Sequence, residues 1–310
     1  MDWHFCSAGL GRFQAMDHRN FVAGLDADTR RALTTRSDAA GFSQLGLHLL
    51  YLCVTGSGVA LLPGPWWLLS LLPYGIGLTF LFTLEHEATH KTPFASEGWN
   101  EAIGRACGFV LLLPFAWFRY FHLAHHRWTN LPGLDPELEG ARPVTLLQWG
   151  VHVSGLPFWM SQARLLVNLV QGRVLASYIP DSARGRVVAE ARWMAAGYGV
   201  AALSLLVTPA LFWFWLLPVL VGQPFLRLYL LAEHGDLPFV ADMFRNTRTT
   251  TTIPLLRRLA WNMPYHVEHH VMPMVPFHNL PKAHLLMKSR LRTTTAGYLA
   301  FTKAYLARRL

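Results

Sequence analysis

The residues with the most chemical potential in this 310-residue chain are histidines set in short repeats. Residues 86–90 read HEATH, 122–126 read HLAHH and 266–270 read HVEHH, and these clusters hold eight of the fifteen histidines. On a helix, His86 and His90 stand at i and i+4, His122 aligns with His125 and His126, and His266 aligns with His269 and His270. Each cluster is then a row of imidazole nitrogens on one face. At this histidine content an HxxxH pair arises by chance roughly 0.7 times per chain, so HEATH alone says little, whereas an HxxHH triple arises roughly 0.04 times. The repetition of the triple is the signal.

Eight clustered imidazoles exceed the roughly four ligands of a usual zinc site, which implies more than one metal ion. Neutral imidazole suits zinc, copper, iron or nickel, and spacing does not choose among them. A dinuclear iron centre could activate dioxygen and attack an apolar chain, which redox-inert zinc could not.

The elements that position these rows are legible in the charge pattern. Hydrophobic residues make up 52% of the chain and charged residues 15%, which is far from the balance of an ordinary soluble domain. Neither Gly41–Leu84 nor Trp193–Leu226 contains a Lys, Arg, Asp or Glu. The first window is about twice the roughly 20 residues a membrane-spanning helix needs, with LLPGPWW at 61–67 as a turn. The second, extended through Leu231, has Thr208 and Pro209 near its bend. The expected fold is therefore all-α and integral to the membrane, with four transmembrane helices in two hairpins.

Both hairpin turns lack basic residues, so the positive-inside rule places the termini, the middle segment and all 27 Lys and Arg in the cytoplasm. The net charge of +9 then forms one basic surface that suits anionic headgroups or an acidic protein. Nucleic-acid binding is not expected, since no basic patch accompanies a recognition module. Between the hairpins, 104–121 carries an apolar run too short to span, and 144–170 reads as one or two helices on the membrane surface. This topology sets all three clusters on a cytoplasmic helical cap. The chain divides into an N-terminal cytoplasmic arm (1–40), a single membrane domain (41–290) and a basic C-terminal tail (291–310). Residues 1–40 have no continuous apolar core and do not read as a cleavable signal. Cys6, Cys53 and Cys107 form no paired spacing.

HEATH, HLAHH and HVEHH resemble the three histidine boxes of the membrane fatty acid desaturase superfamily, which includes alkane and carotenoid hydroxylases. The resemblance covers about residues 42–290 and extends to HHRWTNLPGLDPEL at 125–138 and NMPYHVEHHVMPMVPFHNLPKAH at 262–284, which look like bacterial members. It implies an O2-dependent, non-haem di-iron oxidoreductase of the bacterial inner membrane. The metal set it implies is His86, His90, His122, His125, His126, His266, His269 and His270, with His234 in AEHGD as a ninth ligand. Leu230 occupies a position where acyl-CoA desaturases carry Asn, which departs from the family at one water-mediated contact.

Carboxylates near the boxes are Glu85, Glu87, Asp135, Glu233, Asp236 and Glu268; of these Asp135 and Glu268 are the expected partners of ligating imidazoles. RNTRTTTT at 245–252 reads either as a holder of an anionic substrate head or as a polar loop feeding the third box. The remaining histidines, His4, His18, His48, His152, His278 and His284, sit outside box spacing and read as ordinary polar or packing residues. The chain has no HPGG stretch, flavin or NAD fingerprint or four-cysteine module. Electrons are thus expected from a separate ferredoxin or rubredoxin with its reductase, with Arg257 and Arg258 as a docking point. Fatty acyl desaturation is the favoured reaction and hydroxylation of an alkyl or other small substrate its rival. A non-catalytic membrane metal protein is the remote alternative, because the apolar windows hold one histidine, His48, and no acid.

Overall fold

A computed structural model describes residues 17–140 and 142–310. The first sixteen residues of the expected N-terminal arm, with His4, Cys6 and Arg12, lie outside the described residues. In chain order the helices are α1 (His18–Ala23), α2 (Ala27–Thr34), α3 (Asp38–Leu61), α4 (Trp67–Thr79), α5 (Leu81–Thr89), α6 (Glu97–Leu111), α7 (Phe115–Trp128), α8 (Leu146–Val153), α9 (Leu156–Val170), α10 (Asp181–Ser204), α11 (Leu217–His234), α12 (Met243–Asn246), α13 (Pro254–Leu259), α14 (His266–Val271), α15 (Leu280–Met287) and α16 (Tyr298–Ala307). Two short strands, β1 (Thr249–Thr251) and β2 (Thr294–Ala296), pair in parallel, with Thr249 opposite Thr294.

The first charge-free window folds as expected into α3, a turn at Gly64–Trp66 and α4, which runs on through α5. Ser37 caps α3 by accepting from the Ala40 amide, a standard use of a short hydroxyl at a helix start. Leu47, Leu50 and Val54 stand exposed along α3, an apolar stripe that suits hydrocarbon. Among the described residues, three helical stretches are long and apolar enough to cross a membrane: Ala27–Leu61, Gly64–Thr89 and Phe212–His234. The apolar run at 104–121 falls in α6 and α7, which fold back at an angle of 98°. The bend has a local cause. Leu112 takes a positive φ of 58°, the Leu113 amide donates back to the Gly108 carbonyl at 2.9 Å, and Pro114 cannot continue a helical ladder.

The second window folds differently from a simple hairpin. Its first half lies within α10, which begins twelve residues earlier at Asp181 and carries Arg184, Arg186, Glu190 and Arg192 in its first half. Past its midpoint α10 exposes Trp193, Val200 and Leu203, and the turn that follows exposes Leu206 and Val207. The second half is α11, entered through a π-helical turn at Phe212–Leu216. The segment 291–310 is built into the fold: β2 pairs with β1, and α16 buries Phe301 and Tyr305 against Leu231 and Ala232 of α11.

Helix α4 crosses α11 at a glycine contact. A Cβ on Gly75 would lie 2.3 Å from the Pro218 carbonyl, and one on Gly222 2.1 Å from the Gly75 carbonyl. Neither backbone can yield without separating the helices, so only Gly fits, as at other close crossings of apolar helices. We expect Gly222→Val to destabilise the protein by about 1–3 kcal/mol, the usual range for overpacking. Gly46→Ala, where an added Cβ meets nothing within 4 Å, should leave the midpoint unchanged; thermal unfolding in detergent measures both.

Candidate metal centre

The box histidines come from four elements that converge at one end of the helices. His86 lies in the last turn of α5, with His90 as its C-cap residue. His122, His125 and His126 occupy the last two turns of α7, and His266, His269 and His270 make up half of the six-residue helix α14. His234 ends α11. All nine side chains are buried, none more than 8% exposed.

Within this set the nitrogens sort into two groups. His86, His90, His122, His126 and His269 each offer a nitrogen within 4.8 Å of the others, and so do His125, His234 and His270. His266 joins the second group, its Nε2 standing 3.2 Å from Nε2 of His234 and 3.1 Å from Nε2 of His270. The His126 and His270 rings stack with centroids 4.1 Å apart and link the groups.

The Nδ1 atoms show which way the lone pairs face. His125 Nδ1 lies 2.9 Å from Asp135 Oδ1, and His234 Nδ1 lies 3.1 Å from the Asn246 carbonyl oxygen, which can only accept. His270 Nδ1 lies 3.1 Å from the Thr129 hydroxyl, whose own proton goes to the His125 carbonyl at 2.8 Å. These contacts place the proton on Nδ1 in all three rings and leave Nε2 as a bare donor of electrons.

The fit to metal follows from the Nε2 spacings. His90 and His122 face each other at 2.9 Å, and His126 and His269 at 3.1 Å. At this distance one ring's N–H can donate to the other ring's lone pair; where both nitrogens are bare, their lone pairs repel in a dry interior. With metal–nitrogen bonds of about 2.1 Å, two ligands at right angles on one ion stand about 3.0 Å apart. The spacings match either a shared N–H···N proton or a shared cation, and the convergence of the nitrogens in two groups means that the residues present fit two imidazole-bound metal ions.

The carboxylates divide in a way that helical phase explains. Asp135 pairs with His125 and also accepts from the Asn130 and Glu137 amides at 2.6 and 2.9 Å. Burial pushes its carboxyl up, but these hydrogen bonds outweigh it and hold the group below the ordinary value. Glu268 is a correction. It sits two residues from both His266 and His270, about 200° around the helix from each, so it points away from the cluster. Its oxygens take His284 Nδ1 and the Thr249 hydroxyl, each at 2.5 Å. Glu233 and Glu87 stand nearer to ligating rings, with oxygens 3.3 Å from His266 Nδ1 and 3.7 Å from His269 Nδ1. Both had been visible as acids beside a box, but only packing told them from Glu268. Glu85 is buried against Gly108 with no partner for either oxygen, and Asp236 is held by Arg308 and Arg309.

In RNTRTTTT, Arg248 turns inward and donates to the carbonyls of Ala232 and Gly235. It finishes the C-terminus of α11 just beyond His234, so this arginine belongs to the polar-loop reading. Among the lone histidines, His48 is buried and fully partnered: Trp261 Nε1 donates to its Nδ1 at 3.2 Å, and its Nε2 lies 2.9 Å from the Gly77 carbonyl.

On α14, burial drives the pKa values of His266, His269 and His270 well below the ordinary 6.5, and neighbouring imidazoles add to the shift. Below that ordinary value the unfolded chain takes up protons that these folded rings refuse, so folding stability must fall as pH drops. Metal-free protein should therefore show a lower thermal midpoint at pH 5.5 than at pH 8. A second expectation concerns the pair to His125: Asp135→Asn should weaken metal retention by about 10- to 100-fold, read as metal per chain after graded chelation.

Comparison with known proteins agrees with this geometry. Residues 63–302 match the family described as fatty acid desaturase. An sn-1 oleoyl-lipid 12-desaturase of Anabaena variabilis is 24% identical over 258 residues, covering 76% of this chain and 73% of that protein. A dihydrorhizobitoxine desaturase of Bradyrhizobium elkanii is 28% identical over 270 residues, covering 80% and 74%. A sphingolipid delta(4)-desaturase/C4-monooxygenase of Homo sapiens is 28% identical over 205 residues, covering 63% and 58%. With the matched region running from the first helical turn to α16 and including every box histidine, the chain belongs to the fatty acid desaturase family of oxidoreductases.

Proposed function

We propose that this protein is a non-haem di-iron enzyme that uses O2 and two electrons to oxidise an unactivated C–H bond, most simply to desaturate a fatty acyl or related lipid chain. The observation that carries the reading is the pairing of Nε2 atoms at 2.9–3.2 Å in two adjoining groups. His86, His90, His122, His126 and His269 would hold one iron, and His125, His234, His266 and His270 the other. When bound, such a pair supplies the oxidising power that side chains lack.

The residues of the chain do the rest. Asp135, the Asn246 carbonyl and Thr129 fix three ring tautomers, so the Nε2 atoms are presented without reorganisation. Burial of the nine rings limits water at the reacting carbon, which matters because a misdirected oxidant would attack the protein. Removal of two hydrogens gives an alkene, and return of a hydroxyl gives an alcohol. Hydroxylation remains the second reading, favoured by the human relative's being a desaturase/C4-monooxygenase.

In this reading four helices cross the bacterial inner membrane, the fourth being the apolar end of α10. The termini and the histidine cap face the cytoplasm, and 41–290 is the membrane domain. A ferredoxin or rubredoxin with its reductase docks on the basic face near Arg257 and Arg258.

Metal analysis of protein purified without added zinc should return about two irons per chain; one tightly held zinc and no iron would sink the proposal. His234→Ala should lower bound iron and cut product formation by at least about 10- to 100-fold. Products from a reconstituted ferredoxin system, weighed by mass spectrometry under labelled O2, separate loss of two hydrogens from gain of one oxygen atom.

A further inference from the structure

A second set of unexplained polar atoms lies where α8 and α9 meet α11. Arg227 on α11 is only partly exposed, and its guanidinium makes no hydrogen bond or ion pair among the described residues; its one contact of note is the Phe158 ring, 4.4 Å away. Glu137 and Glu233 act on it only from beyond ion-pair distance. One turn earlier on the same face, Gln223 is 1% exposed and its Nε2 has no acceptor. The facing helices supply Trp149 Nε1 and Trp159 Nε1, both buried and both without a partner among the described residues.

These atoms share a neighbourhood. Gly155, between α8 and α9, lies so close to Gln223 that an added Cβ would be 2.5 Å from its Cγ and 3.6 Å from Trp159 Nε1. His152 lies close enough to Arg227 for the charge to act on it, and Trp149 packs against the cluster that Leu231 and Ala232 of α11 form with Phe301 and Tyr305 of α16. Indole and amide N–H groups dominate here, and Gln162 Oε1 is an acceptor on α9 without a partner among the described residues. A buried cation beside unpaired N–H groups is costly unless an acceptor-rich anion completes it. A planar carboxylate matches an arginine fork and can take further N–H donors on its free lone pairs.

The helix relates this seam to the metal centre. Arg227 and His234 are seven residues apart, so they share a face of α11 and their backbones are about 10.5 Å apart along its axis. Glu137 joins the two places, because it also lies 3.6 Å from His125 Nδ1.

We propose that the seam of α8, α9 and α11 is a head-group site for a free carboxylate, held by Arg227, Gln223 and the indole N–H groups of Trp149 and Trp159. It deepens the proposed function, on which it rests, by naming a substrate class: an aliphatic carboxylic acid. Esters and thioesters of the same chain lack the charge that the seam is built to meet.

The test is calorimetric titration of the purified full chain in detergent with three short probes, hexanoate, methyl hexanoate and hexylamine. Native protein should bind hexanoate at least about tenfold more tightly than the other two. Arg227→Gln should erase that preference, whereas Arg164→Gln, an exposed arginine on α9, should keep it. Trp159→Phe, which removes one N–H and little volume, should weaken hexanoate severalfold and leave the ester unchanged; it serves if Arg227→Gln does not fold. Equal binding of acid and ester by native protein, or an unaltered preference in Arg227→Gln, would overturn the proposal. None of these readings needs turnover or iron. A zinc-containing, inactive protein that still prefers hexanoate would refute the proposed reaction and leave the anion site standing.

Discussion

The structure depends on one constraint: nine imidazole rings must be buried together with their Nε2 lone pairs converging. Bare nitrogens at 2.9–3.2 Å from one another repel in a site this closed unless each pair shares a proton or a cation. The scaffold therefore has to hold the rings in place before any ion arrives. It does so by giving the outer nitrogens fixed partners. Asp135, Thr129 and the Asn246 carbonyl each tie one ring of the second group, and each is itself held by a further bond. Thr129 is anchored to the His125 carbonyl, and Asn246 donates its side-chain amide to the Thr129 carbonyl at 2.9 Å. A chain of ordinary hydrogen bonds thus runs from α7 through the loop after α11 to α14.

The two groups are not built alike. Every outer nitrogen in His125, His234 and His270 has an acceptor, whereas His86, His126 and His269 have none for Nδ1. Three of the four rings of the second group are fixed by hydrogen bonds, His266 being the exception, whereas in the first group Phe82 packs on His86 and Phe118 on His122. Side chains held only by packing can shift more readily than side chains held by directed bonds. The metal pair would accordingly rest on one stiffer and one softer cradle.

Much of this was legible in the residues. The spacing of HLAHH and HVEHH called for helices and for metal, and α7 and α14 are helices with those imidazoles buried on the inward side. The charge-free window at 41–84 and its PGP-containing turn correspond to α3, the turn and α4. The second window was less transparent, because a charge-free stretch says nothing of where a helix begins. Helix α10 starts among charges at Asp181 and becomes apolar only later. Glu268 misled for a similar reason. Adjacency in sequence to a ligand is a weak guide on a helix, where a residue two places away faces the opposite side.

The amino-acid order alone determined that eight histidines would form rows, that the chain would enter a membrane and that redox chemistry at clustered metal was the economical use of both. Those conclusions follow from periodicity and hydropathy, which are local properties. The tertiary structure decided which nitrogens meet, which carboxylates serve them and which arginines are occupied. Arg248 is consumed by the carbonyls that end α11, while Arg227 stands unpaired across from α8 and α9. No local pattern separates these two arginines, because the difference between them lies in residues distant in sequence that only folding brings near.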